Sequence, residues 1–176
     1  MMLSELFDRA EHVERQMCVL ANAVGRRRAM RGMFKLVSRL GDGIIWYLLI
    51  ATLPWAMGID GVAPGLQMLL TGGIGQMLYK YLKQWFVRER PFVRLIGVEC
   101  FTPPLDRYSF PSGHTLHAVC FTTVAVAHVP ALAILLVPLT ALIAASRVVL
   151  GLHYPSDVLV GAALGAALGA VSNAIA

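Results

Sequence analysis

Charge is what this sequence has least of. Only 14 % of its 176 residues are Asp, Glu, Lys or Arg, against about a quarter in an ordinary soluble domain. So few charged side chains cannot coat a water-soluble globule of this length, nor keep a chain disordered. Acidic residues number ten against fifteen basic ones, too few basic residues for a nucleic-acid arm, and no nucleic-acid partner is expected. Cysteine is equally sparse: Cys18, Cys100 and Cys120 lie far apart and exclude a disulfide scaffold. What is abundant is apolar, at 57 % of residues with a mean hydropathy of +0.67.

The missing charge is missing in blocks. Between Gly43 and Tyr79 the one charged residue is Asp60, and between Gly113 and Ala176 there are two, Arg147 and Asp157. The hydrocarbon core of a bilayer demands such stretches. The sequence therefore predicts an all-α integral membrane helical bundle. Five spanning helices are expected near residues 43–59, 65–86, 113–129, 131–148 and 157–175, turning at Asp60-Gly61 and Pro130. The chain divides into an amphipathic and basic interfacial part, 1–42, and a transmembrane bundle, 43–176.

Within 1–42, Leu3, Leu6, Ala10, Val13, Met17, Leu20 and Val24 recur three or four apart, one stripe of a helix. Glu5, Asp8, Arg9, Glu11, His12, Glu14 and Arg15 occupy the other face. Such a helix lies on the membrane surface or against the bundle; its acidic start is unlike a signal peptide. A basic run follows (Arg26, Arg27, Arg28, Arg31, Lys35, Arg39), interleaved with Met33, Phe34, Leu36, Val37 and Leu40, which reads as a second interfacial helix near anionic head groups. In the last span Gly161, Gly165 and Gly169 repeat every fourth residue. Small residues so spaced let helix backbones approach closely, either inside the bundle or across a homodimer.

Five spans with short connections place the start of the first span, the polar stretch 86–112 and the 148–157 connection on one side, with all fifteen Lys and Arg. The positive-inside rule makes that side cytoplasmic. The expected location is a bacterial inner membrane.

Three chemistry-bearing clusters meet there. Lys83 to Pro91 closes the second span, Tyr108 to His114 opens the third, and Ser146 to Asp157 links the fourth and fifth. A charge deep in apolar sequence marks a functional site, or else a buried structural Arg147–Asp157 pair. Lys83, Arg90 and Arg147 together invite an anion of high charge density such as phosphate. Ser112 and Gly113 open a helix whose free N–H groups favour phosphate oxygens. Asp157, four residues after His153, can fix its tautomer and leave the other ring nitrogen a nucleophile, and His114 can move a proton. His114, His117, His153 and Asp157 can also be imagined around a metal, but three cations would repel one, so no metal or cofactor is expected. His117 reads as a neighbour of the site, and His12 and His128 as incidental.

These clusters carry a resemblance. The motifs K-x6-R-P, P-S-G-H and S-R-x5-H-x3-D occur intact and in order at Lys83–Pro91, Pro111–His114 and Ser146–Asp157. The chain resembles the type 2 phosphatidic acid phosphatase (lipid phosphate phosphatase) superfamily. The resemblance implies that His153 attacks phosphorus, Asp157 orients it, and His114 protonates the leaving oxygen and then activates water. Lys83, Arg90, Arg147, Ser112 and Gly113 would hold the phosphoryl oxygens, without metal or cofactor. Asp106 to Pro111 also resembles the small polyisoprenoid-phosphate phosphatases of that superfamily. A polyisoprenyl phosphate or diphosphate is thus the first expected substrate, and phosphatidylglycerol phosphate or phosphatidic acid the second. Larger bacterial members have six spans and a periplasmic site, from which this chain departs. A non-hydrolytic lipid transporter would need neither nucleophile nor proton donor, and a vanadate-dependent haloperoxidase would be soluble and larger.

Overall fold

Why these residues fold into helices is clearest from what joins them. In the computed structural model, which describes residues 2–176 apart from the side chains at 2–4 and 6–8, the helices are α1 (Met2–Gly25), α2 (Arg28–Arg39), α3 (Ile45–Met57), α4 (Val62–Trp85), the single turn α5 (Pro91–Arg94), α6 (Gly113–His128), α7 (Ala133–Val149) and α8 (Pro155–Ile175). Among the described residues there is no strand. Proline sits at the first positions of α5 and α8, where its missing N–H costs nothing. A 3₁₀ turn at Gly58–Gly61 links α3 to α4, and another at Pro130–Leu132 links α6 to α7, where Asp60-Gly61 and Pro130 were expected to turn the chain.

Helices α3, α4, α6, α7 and α8 occupy the five segments expected to be apolar. By length and composition, three stretches among the described residues are suited to crossing a membrane: Arg28–Trp85 taken as one, Pro130–Val149 and Pro155–Ile175. The basic helix α2 is not separate from α3. It runs into it through a π-helical turn at Leu40–Ile44, where Gly43 takes φ 130°, a backbone region open to glycine alone at low cost.

The bundle is apolar on the outside. Leu48, Trp55, Leu70, Met77, Ile134 and Leu159 are all exposed, as a lipid-facing surface requires. Inside, Trp46, Met68, Phe121, Val124, Leu136 and Ile143 form the core of α3, α4, α6 and α7. Polar pairs tie the helices: Thr122 to Thr140 at 2.7 Å between α6 and α7, and Thr71 to Ser172 at 2.8 Å between α4 and α8. His128 also reaches Gln67 at 2.6 Å, so it is a tie between helices rather than incidental. His12 meets Gln16 on its own helix at 2.9 Å.

The tightest pair is α6 with α8. An added Cβ would fall 2.6 Å from the Ser112 carbonyl at Gly161, 2.3 Å from the Leu116 carbonyl at Gly165, and 2.7 Å from Thr123 at Gly169. The glycine stripe is therefore occupied by α6 of the same chain, and Gly161, Gly165 and Gly169 present no free face to a second copy. This close approach brings the N-termini of α6 and α8 together, where the Ser112 N–H donates to the Asp157 carbonyl at 3.1 Å.

Helix α1 lies against α7 and α8, yet its apolar stripe is not the face that touches them. Val13, Met17, Leu20 and Val24 point outward, and Glu14, Cys18 and Asn22 face the bundle. Asn22 Nδ2 donates to the Glu99 and Val149 carbonyls at 2.9 and 3.1 Å, and Asn22 Oδ1 accepts the Glu99 N–H at 2.9 Å. These buried hydrogen bonds, with Cys18 packed beside Val98 and Tyr154, seat the helix. Leu3, Leu6 and Asp8 of the expected faces lie outside the described side chains.

Gly165→Val should lower the unfolding free energy in detergent by about 3 kcal/mol, since backbone rather than a yielding side chain fills the space. Gly32→Ala in α2, where nothing lies within 4 Å, should be neutral or raise it by about 0.5 kcal/mol. Thermal unfolding of the two purified variants checks the contrast.

Candidate active site

Three chain segments far apart in sequence end at one cavity of about 470 Å³. Lys83 comes from the last turn of α4 and Arg90 from the residue before α5. Gly113 and His114 come from the first turn of α6, Arg147 from the last turn of α7, and His153 from the link into α8. All six line the cavity, as the motifs predict. Asp157 and Ser112 do not. Ser112 caps α6, its hydroxyl hydrogen-bonded to Thr115 Oγ1 at 2.9 Å, so its side chain shapes the helix end and leaves the cavity wall to Gly113.

Asp157 stands behind His153. Its Oδ2 accepts the Tyr154 N–H at 2.8 Å and lies 3.6 Å from His153 Nδ1. The other ring nitrogen, Nε2, is 3.4 Å from Arg90 Nη1. Arginine only donates, so Nε2 carries the lone pair and Nδ1 the proton; Nδ1 has the Asp157 carboxylate as its neighbour but no hydrogen-bond partner among the described residues. Burial, followed by the charges of Arg147, Arg90 and Lys83, drives the His153 pKa well below its ordinary 6.5. The imidazole is neutral, the form in which a nitrogen attacks.

The cations are held open by the chain around them. Arg90 donates to the Leu152 carbonyl at 2.7 Å and to Asp106 Oδ1 at 2.7 Å. Lys83 Nζ donates to the same Oδ1 at 2.6 Å and to the Tyr108 carbonyl at 2.9 Å. Arg147 bonds Ser38, and its Nε is buried without an acceptor among the described residues. A buried donor without a protein acceptor fits an anion site. Burial alone would raise the Asp106 carboxyl, but Lys83 and Arg90 outweigh it and hold its pKa below the usual range. His114 Nε2 is paired with Asp42 in the turn between α2 and α3. His117 lines the same cavity one turn deeper, its ring nitrogens at 2.8 Å from the Gly113 carbonyl and 3.2 Å from that of Gly72.

Three carboxylate partners escaped the motif reading: Asp42, Asp106 and, through Arg88, Glu14. Asp106 begins the Asp106–Pro111 stretch and Asp42 immediately precedes the first uncharged block, so position was the available signal. Trp46, Tyr47, Ile50, Leu69 and Phe121 also line the cavity and make part of its wall apolar.

The sequence pattern of the PAP2 superfamily matches residues 64–176. The chain belongs to the PAP2 superfamily. Among its PAP2 relatives, phosphatidylglycerophosphatase B of Bacillus subtilis is 39 % identical over 113 residues, covering 57 % of this chain and 52 % of that protein. The chain thus spans about half the length of that relative. Decaprenylphosphoryl-5-phosphoribose phosphatase of Mycobacterium tuberculosis is 33 % identical over 165 residues, covering 90 % of this chain and 88 % of the relative. The solved transmembrane PAP2 type phosphatidylglycerolphosphate phosphatase from Bacillus subtilis superposes with a TM-score of 0.76 at 28 % identity, over 94 % of this chain and 85 % of that one. Aquifex aeolicus LpxE gives 0.74 at 27 %, over 88 % and 93 %. The PAP2 fold, the apolar helices and the membrane PAP2 neighbours support an integral membrane protein.

Because His153 is buried neutral, it binds fewer protons folded than unfolded, so stability rises with pH as the unfolded imidazole deprotonates near 6.5. Acidification from neutrality through that value should destabilise the wild type more than His153→Gln, measured as the thermal midpoint against pH.

Proposed function

We propose that this chain hydrolyses a lipid phosphate or diphosphate through a phosphohistidine on His153. The observation that carries the reading is the convergence of His153 Nε2 with Lys83, Arg90 and Arg147 on one cavity. The lone pair on Nε2 attacks phosphorus while the bond from phosphorus to the lipid-side oxygen breaks. The cations and the Gly113 N–H at the start of α6 stabilise the charge on the phosphoryl oxygens. His114 gives its proton to the departing oxygen, and Asp157 takes up the positive charge developing on His153. Water then attacks phosphorus, His114 removes its proton, and the phosphorus–nitrogen bond breaks to release inorganic phosphate. Three cations supply the charge stabilisation that metal ions supply in other phosphoryl-transfer sites.

For the substrate, the favoured class is a polyisoprenyl phosphate or diphosphate. Its support is the relative matched along 88 % of its length, a phosphatase named for decaprenylphosphoryl-5-phosphoribose, a phosphate carried on a decaprenyl lipid. The apolar wall of the cavity gives a chain of that kind a place beside the phosphate pocket. Phosphatidylglycerol phosphate is the second reading, favoured by the higher identity to the Bacillus relative over its matched half.

The proposed setting is a bacterial inner membrane, crossed by α3, α4, α6, α7 and α8, with the cavity on the cytoplasmic side. Arg27, Arg28 and Arg39, outside the cavity, support that orientation.

His153→Ala should abolish phosphate release from decaprenyl phosphate and phosphatidylglycerol phosphate in detergent, and EDTA should leave the wild-type rate unchanged. Turnover by that variant ends the covalent mechanism. Cys100 is exposed on the cavity side. In intact cells it should react with a membrane-permeant maleimide and not with an impermeant one; labelling by the impermeant reagent reverses the orientation.

A further inference from the structure

The motifs leave Arg88 without a task, although it stands between Lys83 and Arg90 in sequence. The structure gives it a specific place. Its guanidinium does not reach the cavity. Nη1 donates to Asp157 Oδ1 at 2.6 Å and to Ser156 Oγ at 2.7 Å, and Nη2 donates to Glu14 Oε2 at 2.6 Å. The group lies over the Tyr154 ring at 3.9 Å, and the Arg88 carbonyl accepts the Ser109 N–H at 2.8 Å. Glu14 Oε1 in turn accepts the Ser156 N–H at 2.9 Å and bonds the Ser156 hydroxyl. Residues from α1, the α4–α5 link and the first turn of α8 thus close one network around Asp157.

The geometry points to Arg88 as a positioning residue for the Asp157–His153 pair, held in turn by Glu14 of α1; this rests on the phosphohistidine reading above. Asp157 is fully buried. Its Oδ2 faces His153 and its Oδ1 faces Arg88, so the two oxygens have separate partners. A buried carboxylate needs a compensating charge. Lys83, Arg90 and Arg147 are committed to the cavity, and Arg88 alone among the described cations contacts Asp157. The guanidinium fork matches two acceptors on the α8 side and one on the α1 side, a geometry a lysine cannot reproduce. Helix α1, whose apolar stripe faces outward, is through Glu14 part of the wall that sets the nucleophile.

The test measures steady-state kinetics on decaprenyl phosphate and phosphatidylglycerol phosphate in detergent, with inhibition by orthovanadate as a reading of the phosphate pocket. Arg88→Gln should lower kcat roughly 10–100-fold, the range for removing a partner that orients a reactive group. KM and the vanadate inhibition constant should stay within about twofold, because uniform binding is untouched. Arg88→Lys should recover part of the loss, and Glu14→Gln should lower kcat several-fold. In an Asp157→Ala background Arg88→Gln should cost nothing further, since residues acting as a unit are not additive. A full additional loss in that background, or a vanadate constant raised tenfold, overturns the proposal; so does wild-type kcat in Arg88→Gln. If Arg88→Gln does not fold, Arg88→Lys and Glu14→Gln decide, and wild-type kcat in both overturns it. A wild-type chain inert on both lipids overturns the phosphatase reading and this proposal with it. An active wild type with indifferent variants overturns this proposal alone.

Discussion

Everything near the cavity answers to one constraint: several positive charges are kept side by side in an otherwise apolar bundle. Lys83, Arg90 and Arg147 repel one another and are largely buried. The chain keeps them charged and in place by giving them oxygen partners. One carboxylate oxygen of Asp106 bridges Lys83 and Arg90, and the carbonyls of Tyr108 and Leu152 take further hydrogens from them. Among the described residues Arg147 has only Ser38, and so keeps a donor free. Burial first, and then the same field, depress the His153 pKa and make its ring the neutral member of a cationic group.

The helix packing is what brings these charges to one point. Glycines on α8 let it lie against α6 backbone to side, which sets the N-termini of both helices next to each other. Gly113 and His114 then open α6 at the cavity while Asp157 stands in the first turn of α8, behind His153. The outer surface of the bundle is apolar, and beside its large apolar core α8 meets α6 and α4 through glycines and hydrogen-bonded ties, contacts that hold helices together in lipid.

Much of this was legible in the residues, because motif spacing fixes which helix end bears each group. Lys83, Arg90, Gly113, His114, Arg147 and His153 all reach the cavity. Ser112 and Asp157 do not, since capping and carboxylate–imidazole pairing place a side chain one layer back. The partners that depend on distant segments were not legible. Asp42 meets His114 across 72 residues, and Glu14 meets Ser156 across 142. No local spacing encodes such pairs. The amphipathic stripe of α1 was legible, but not that it faces outward while Glu14 and Asn22 seat the helix, because periodicity names a face and not what covers it.

The most direct measurement is to quench the purified protein with alkali during turnover of a ³²P-labelled decaprenyl phosphate and map the label. The account predicts a base-stable, acid-labile phosphoryl group on the peptide bearing His153. Release of labelled phosphate with no such group at any quench time, or a label on another residue, would contradict it.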